Sequence, residues 1–164
     1  MRLRTLVAGL ADLPEGTGET AISGMSPDSR AIKPGYLFAA LPGSKIDGTA
    51  FIAAALRAGA AAILAAKGSA VGDTGGVPVL RVAEPRRVLA LLAARFYIGQ
   101  PETIVAVTGT NGKTSVASFV RQIRSGQGLR AASLGTIGLI RPSGEVVETL
   151  TTPEPVTLHA LLAE

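Results

Sequence analysis

Cysteine is absent from this 164-residue chain. That excludes disulfides and thiolate metal sites and fits a reducing compartment. Tryptophan is absent too, and aromatics make up only 4% of the residues. With alanine and glycine abundant instead, the sequence predicts close-packed helices on a sheet rather than an aromatic core. Long apolar runs are missing: the longest, residues 58–66, is far too short to cross a bilayer. Arg2 and Arg4 followed by Leu6-Val7-Ala8 faintly imitate a signal peptide, but Asp12 and Pro14 end that run too early. A cytoplasmic protein is expected. The net charge of +4 is dispersed, with no block of like charge and no interleaving of basic and aromatic residues. No nucleic-acid footprint and no membrane partner are therefore expected. There is no internal repeat and no low-complexity segment. Apolar residues at 47% against 17% charged can still build a core.

One stretch organises what is present. Thr103-Ile104-Val105-Ala106-Val107-Thr108 reads as a buried strand. Gly109-Thr110-Asn111-Gly112 breaks it, and after Lys113-Thr114-Ser115 a helix begins. Val116, Phe119, Val120 and Ile123 fall on one face of that helix. Strand, glycine turn, Lys-Thr and helix form a phosphate-binding loop. Backbone N–H groups of the turn and the helix N-terminus converge on an anion. Lys113 would add a point charge near the outer phosphates, and the Thr114 hydroxyl would ligate their Mg²⁺. The general pattern wants a glycine where Val107 stands, so the loop is a shortened form. A plain strand-to-helix turn with a solvated Lys113 is the bland alternative.

Before that loop the pattern alternates strands and helices. A short amphipathic helix is expected over 3–13, then strands over 21–25, 36–41, 60–65 and 77–82. Helices are expected after Thr49 and after Pro85. Ser26-Pro27-Asp28-Ser29-Arg30 is turn chemistry. Residues 42–48 form a loop at the end of a buried strand, where open α/β sheets place ligands. Gly99-Gln100-Pro101 marks a domain boundary. After the loop helix come a short strand over 130–134, a hairpin of 137–140 with 146–150, the Pro-rich Thr151-Thr152-Pro153-Glu154-Pro155, and a terminal helix. His159, the one histidine, matches no motif and is expected to pack or to face solvent.

Together these pieces resemble the Mur ligases of peptidoglycan synthesis. Asp28-Ser29-Arg30, Pro34-Gly35 before Leu37-Phe38, Gly43 and Asp47-Gly48 match the N-terminal domain shared by the E and F types. Thr108 to Thr114 match the family's phosphate loop, missing glycine included. Arg95-Phe96-Tyr97 with Pro101, Gly135-Thr136-Ile137-Gly138 and Thr151-Thr152-Pro153-Glu154 point to the E type. The resemblance implies an α/β architecture: a small uridine-nucleotide-binding domain over 1–100, then the beginning of a P-loop ATPase domain over 101–164, truncated.

The implied activity is that of an ATP-dependent amide ligase of cell-wall synthesis. A diamino acid, meso-diaminopimelate rather than L-lysine, would be joined to the D-Glu of UDP-MurNAc-L-Ala-D-Glu through an acyl phosphate. ATP and Mg²⁺ are the implied cofactors. By the match Gly109, Thr110, Asn111, Gly112, Lys113, Thr114 and Ser115 hold ATP, with Lys113 catalytic and Thr114 on the metal. Pro27 and Ser29 align with positions that hold the UDP end, as do Ser44, Lys45 and Ile46, matched by frame only. Thr151 and Thr152 match the pair that contacts the muramoyl peptide. The family's carbamylated lysine, later metal ligands and amino-acid-binding domain are not in this chain. It is therefore expected to show no turnover on its own; a monomer is expected. A stand-alone UDP-sugar-binding module is the alternative. An unrelated P-loop kinase would have no use for the Asp28-Ser29-Arg30 segment.

Overall fold

The computed structural model describes residues 1–43 and 46–164. In chain order the elements are α1 (Leu3–Val7), β1 (Gly24–Ser26), β2 (Tyr36–Ala40), α2 (Ile52–Arg57), β3 (Ala62–Ala66), β4 (Val79–Val82) and α3 (Pro85–Phe96). Then follow α4 (Lys113–Gly126), β5 (Ser133–Gly135), β6 (Gly138–Ile140), β7 (Val146–Val147) and α5 (Pro155–Leu162). Contacts divide the chain into two units: Met1–Gln100 with Pro155–Glu164, and Pro101–Glu154.

In the first unit β1 to β4 form a parallel sheet in sequence order. Ser26 pairs with Phe38, Phe38 with Ile63, and Leu64 with Leu80. Successive side chains leave opposite faces of a strand. Leu37, Ala39, Ala62, Leu64, Leu80 and Val82 accordingly pack with Leu3 and Leu6 of α1 and Leu89 and Leu92 of α3. Phe38, Ala40, Ile63 and Ala65 pack with Ile52 and Ala55 of α2. Burial on both faces explains why β2 and β3 read as continuous apolar runs, and their alanines let the helices approach.

The helix expected over 3–13 ends at Val7. Gly9 turns the chain with φ 71°, a left-handed conformation open to glycine. Arg95, in the last turn of α3, then covers the freed carbonyls. Its Nη1 donates to the carbonyls of Thr5 (3.4 Å), Leu6 (2.7 Å) and Ala8 (2.9 Å). One guanidinium thus satisfies the acceptors that a helix C-terminus leaves open.

The second unit departs from expectation at its first residues. Residues 103–108 were expected as a buried strand, yet they form no regular strand, and Ile104 and Val105 are 63% and 62% exposed. A parallel strand is stable only between neighbours and under cover on both faces, and no strand among the described residues pairs with this one. Helix α4 does form, but its apolar face faces solvent, with Phe119 61% exposed. β5, β6 and β7 make an antiparallel meander. Its first turn is tight because Gly135 and Gly138 pair across it. Gly138 sits at φ 107°, and a Cβ there would overlap the Val147 carbonyl.

Within the stretch 101–164, expected as the beginning of the second domain, α5 groups by its contacts with the first unit. Val156 is buried in the cluster that holds Leu89 and Leu92, against which Phe96 and Tyr97 also pack. The apolar surface of α3 covers the helix, which explains its place. No helix among the described residues is long and apolar enough to cross a membrane.

Candidate functional site

Because β1 and β2 are parallel neighbours, the segments that follow them leave the same edge of the sheet. Pro27 and Ser29 lie in the first, Ile46 in the second. Ser44 and Lys45 lie outside the described residues.

Side-chain hydrogen bonds build the first segment. The Asp28 N–H donates to Ser26 Oγ at 3.0 Å. Asp28 Oδ1 accepts the N–H of Arg30 at 2.9 Å and so caps the 3₁₀ turn Ser29–Ala31. The Arg30 guanidinium grips the same carboxylate through Nε (2.9 Å) and Nη2 (2.7 Å). Ser29, half-buried, therefore starts a turn that is fixed from both sides. These bonds from Arg30, side chain first and backbone second, hold the Asp28 carboxyl at about 2, below its ordinary 3.8.

A lowered carboxyl pKa stabilises the fold above its unfolded value, and that stability is lost as pH falls towards the folded value. The pair is exposed, so the contribution is small. Asp28→Asn, which keeps the backbone acceptor, is expected to cost about 0.5–1 kcal/mol at pH 7. Between about pH 4 and pH 2 the gap from the unaltered chain is expected to close, as read by thermal melts.

The second segment has a closed neck. The Gly48 N–H donates to the Leu41 carbonyl at 3.0 Å. A Cβ on Gly48 would lie 2.6 Å from Leu41 N and 2.8 Å from the Ala40 carbonyl carbon, so only glycine fits. Asp47 Oδ1 accepts from the Thr49 N–H (2.8 Å) and hydroxyl (2.7 Å). The hydroxyl bond, then the backbone bond, lowers the Asp47 pKa. Arg86, in the first turn of α3, donates to the Pro42 carbonyl at 2.8 Å. Pro42, Glu84, Pro85, Arg86 and Arg87 line an open depression there. Arg86 was not anticipated. Its one signal in the sequence is a basic pair at the start of a helix that follows a parallel strand.

The glycine loop lies in the second unit. Gly109 and Gly112 have φ 149° and 77°, conformations in which a side chain is strained. Gly112 is the N-cap of α4, and nothing lies within 4 Å of a Cβ position on it. The N–H groups of Lys113, Thr114 and Ser115, the first turn of α4, have no acceptors within a regular helix. The Lys113 ammonium donates to the carbonyls of Gly109 and Thr110 and so lies over the loop. An open glycine turn, free helix-end donors, an ammonium and the Thr114 hydroxyl suit a phosphate chain with its divalent cation.

Thr151 and Thr152 are exposed and precede the buried Pro153 near the end of the second unit, which closes at Glu154. His159 packs, as one branch of the expectation had it. Its Nδ1 lies 3.0 Å from Gln100 Oε1.

The description "Mur ligase family, catalytic domain" matches residues 21–97, and "Mur ligase middle domain" matches 107–164. The chain belongs to the Mur ligase family. It is 52% identical, over all 164 residues, to a UDP-N-acetylmuramoyl-L-alanyl-D-glutamate--2,6-diaminopimelate ligase of Brucella melitensis, of which it covers 33%. To the enzyme of that name from a Chelativorans species it is 56% identical over 147 residues, 90% of this chain and 30% of the relative. A solved structure of a ligase of the same name superposes at a TM-score of 0.75 over 99% of this chain and 33% of its own, at 24% identity, which speaks for the fold. MurF ligase from Thermotoga maritima, in complex with ADP, is 30% identical with a TM-score of 0.50, covering 66% of this chain and 24% of that one. The chain thus spans about a third of the length of the relatives it matches. Like this family's solved relative, the chain has a mixed α/β fold with a parallel sheet, and the middle-domain match runs on through α5.

Proposed function

We propose that this chain carries the UDP-end and ATP-phosphate sites of an ATP-dependent ligase that joins meso-diaminopimelate to the D-Glu carboxylate of UDP-MurNAc-L-Ala-D-Glu. The observation that carries this reading is the 52% identity across the whole chain to a ligase of that name. Residues 1–100 would form the uridine-nucleotide domain and 101–164 the beginning of the ATPase domain. The enzyme would work in the cytoplasm, where UDP-MurNAc-L-Ala-D-Glu and ATP are small anionic molecules that a mildly basic surface suits.

A carboxylate is a poor electrophile. Transfer of the γ-phosphoryl group from ATP to its oxygen gives an acyl phosphate and ADP. The diamino-acid amine then attacks the acyl carbon, phosphate departs with the C–O bond electrons, and the amine loses a proton. The work of this chain is placement and charge. Gly109 to Ser115 wrap the phosphates with backbone N–H groups. Lys113 swings from the loop carbonyls to the transferring group, where its charge offsets the negative charge that builds there. Thr114 would hold the Mg²⁺, which neutralises phosphate charge when bound. Ser29, set by the Asp28 clamp, and Pro27 would hold the UDP end with Ser44, Lys45 and Ile46, while Thr151 and Thr152 hold the muramoyl peptide. Lacking the partners of residues 103–108, the 164-residue chain is not expected to turn over.

Calorimetric titration with UDP-MurNAc-L-Ala-D-Glu tests the reading. Binding is expected, and Ser29→Ala is expected to weaken it about tenfold, the scale of one lost hydrogen bond. Equal affinity in the variant removes Ser29 from the site, and failure to bind at all removes the function.

A further inference from the structure

The start of α3 goes against helix electrostatics. A helix N-terminus carries a partial positive charge, which favours acidic residues in the first turn. The first turn of α3 holds no acidic residue and places Arg86 and Arg87 there instead. Arg87 is compensated, because its Nη1 lies 3.3 Å from the carboxylate of Glu84. Arg86 is exposed and pairs with no carboxylate among the described residues. It reaches 44 positions back along the chain, where its Nη2 donates to the Pro42 carbonyl at 2.8 Å. A residue that opposes its own helix is expected to serve a need elsewhere in the fold.

The need lies in the loop after β2. Strands β1 to β4 are parallel and in sequence order, so that loop and the start of α3 after β4 leave the same edge of the sheet. At the neck of the loop the Gly48 N–H donates to the Leu41 carbonyl. Inside it, Gly43 and Ile46 approach so closely that a Cβ on Gly43 would overlap the Ile46 carbonyl. The carbonyl that Arg86 holds belongs to the planar Pro42–Gly43 peptide. The φ of Pro42 is fixed by its ring. A bond at that carbonyl therefore sets the plane from which Gly43 departs, and the close approach passes the setting on to Ile46.

We infer that Arg86 is a positioning residue for the UDP end of the substrate: by holding the Pro42–Gly43 peptide it sets where the loop after β2 presents Ile46, at the edge from which Ser29 also emerges. The inference rests on the ligase reading, in which Ser29 and Ile46 hold UDP. It gives Arg86 no contact with the ligand.

The test titrates UDP calorimetrically into the unaltered chain, Arg86→Met, Arg86→Lys, Gly43→Ala and the double variant Arg86→Met with Gly43→Ala. Arg86→Met is expected to weaken UDP about fivefold, the scale of one hydrogen bond. The ratio is expected to be the same at about 50 and about 300 mM salt, because the bond acts on a carbonyl and not on the ligand's charge. Arg86→Lys, which keeps a donor, is expected to recover part of the loss. In the Gly43→Ala background Arg86→Met is expected to add less than about twofold, since both act through one loop. The melting temperature of Arg86→Met should hold within about 2 °C, because the side chain is exposed and its charge opposes the helix. A loss that fades with salt, or that adds in full to that of Gly43→Ala, would mean direct contact with the diphosphate and overturns the inference. A fall in melting temperature beyond that margin would mean a general role in folding and overturns it too. If Ser29→Ala weakens UDP and Arg86→Met does not, the inference falls while the ligase reading stands. Unchanged affinity in Gly43→Ala removes the loop from the site, and the inference with it. If the unaltered chain does not bind UDP, the ligase reading itself fails. Should Arg86→Met not fold, Arg86→Gln is read against the same outcomes.

Discussion

On the proposed ligase reading, Lys113→Ala in the full-length enzyme is expected to lower kcat by about two to three orders of magnitude, with no change in melting temperature. The size follows from what a fixed cation does for phosphoryl transfer. Removing one preorganised donor from developing charge costs about 3–4 kcal/mol of transition-state stabilisation. Here the donor carries a full charge, and its aim is set by its place as the first residue of α4, directly after the left-handed Gly112. The absence of a stability effect follows from exposure. The Lys113 side chain bonds two loop carbonyls that water can reach, and exposed substitutions of that kind shift stability by about 0.5 kcal/mol or less. ADP release measures the first quantity and a thermal melt the second. Lys113→Arg is expected to recover little, because a planar fork does not replace a compact ammonium inside a narrow loop. Unchanged kcat in the alanine variant would return Lys113 to the role of a solvated side chain.

That loop was legible in the sequence because its signal is local. Two glycines at fixed offsets, a lysine and an apolar helical face lie within about fifteen residues, and each is a property of the chain near itself. The strand before it was legible only as composition. Ile104 and Val105 are suited to burial, but burial is supplied by neighbours, and no residue within the segment provides them. β2, β3 and β4 were read correctly for the converse reason: their neighbours lie in the same stretch of chain, and apolar continuity on both faces follows from that. Helix α1 was read too long because the alanine and leucine that follow Val7 extend the pattern while Gly9 turns the backbone.

The site was half legible. Asp28-Ser29-Arg30 announced a turn, but not that Arg30 folds back on Asp28 with two nitrogens. Arg86 on Pro42 and Gln100 on His159 join residues 44 and 59 positions apart. No periodicity encodes a polar contact of that range. Helix α5 gave no direction either. Its apolar residues surround it rather than form a stripe, so the pattern predicted a helix and left its partner open.

Phe38→Ala is expected to destabilise the first unit by about 3–5 kcal/mol, a large share of the roughly 5–15 kcal/mol that holds a domain of this size. Phe38 is fully buried in the centre of β2. Its cluster is Ile32, Ala40, Ile52, Ala55, Ala60, Ile63 and Ala65. Four of those seven are alanine, with no side-chain length to swing into the space a ring leaves, so the cavity stays open and the cost lies at the upper end. Phe38→Leu keeps most of the volume and is expected to cost under about 1.5 kcal/mol. The absence of tryptophan makes the measurement selective. Both tyrosines, Tyr36 and Tyr97, belong to the first unit, so intrinsic fluorescence in a urea titration reports that unit alone. The midpoint should fall while the slope holds, since the surface exposed on unfolding barely changes. The effect reaches the site because Phe38 is the register partner of Ser26, two residues before Asp28. A β2 loosened at Phe38 releases the edge from which Ser29 is presented. UDP affinity in Phe38→Ala should therefore fall as urea approaches the new midpoint, and recover in Phe38→Leu. An alanine variant with the midpoint of the unaltered chain would mean that the alanine-rich face closes on itself after all.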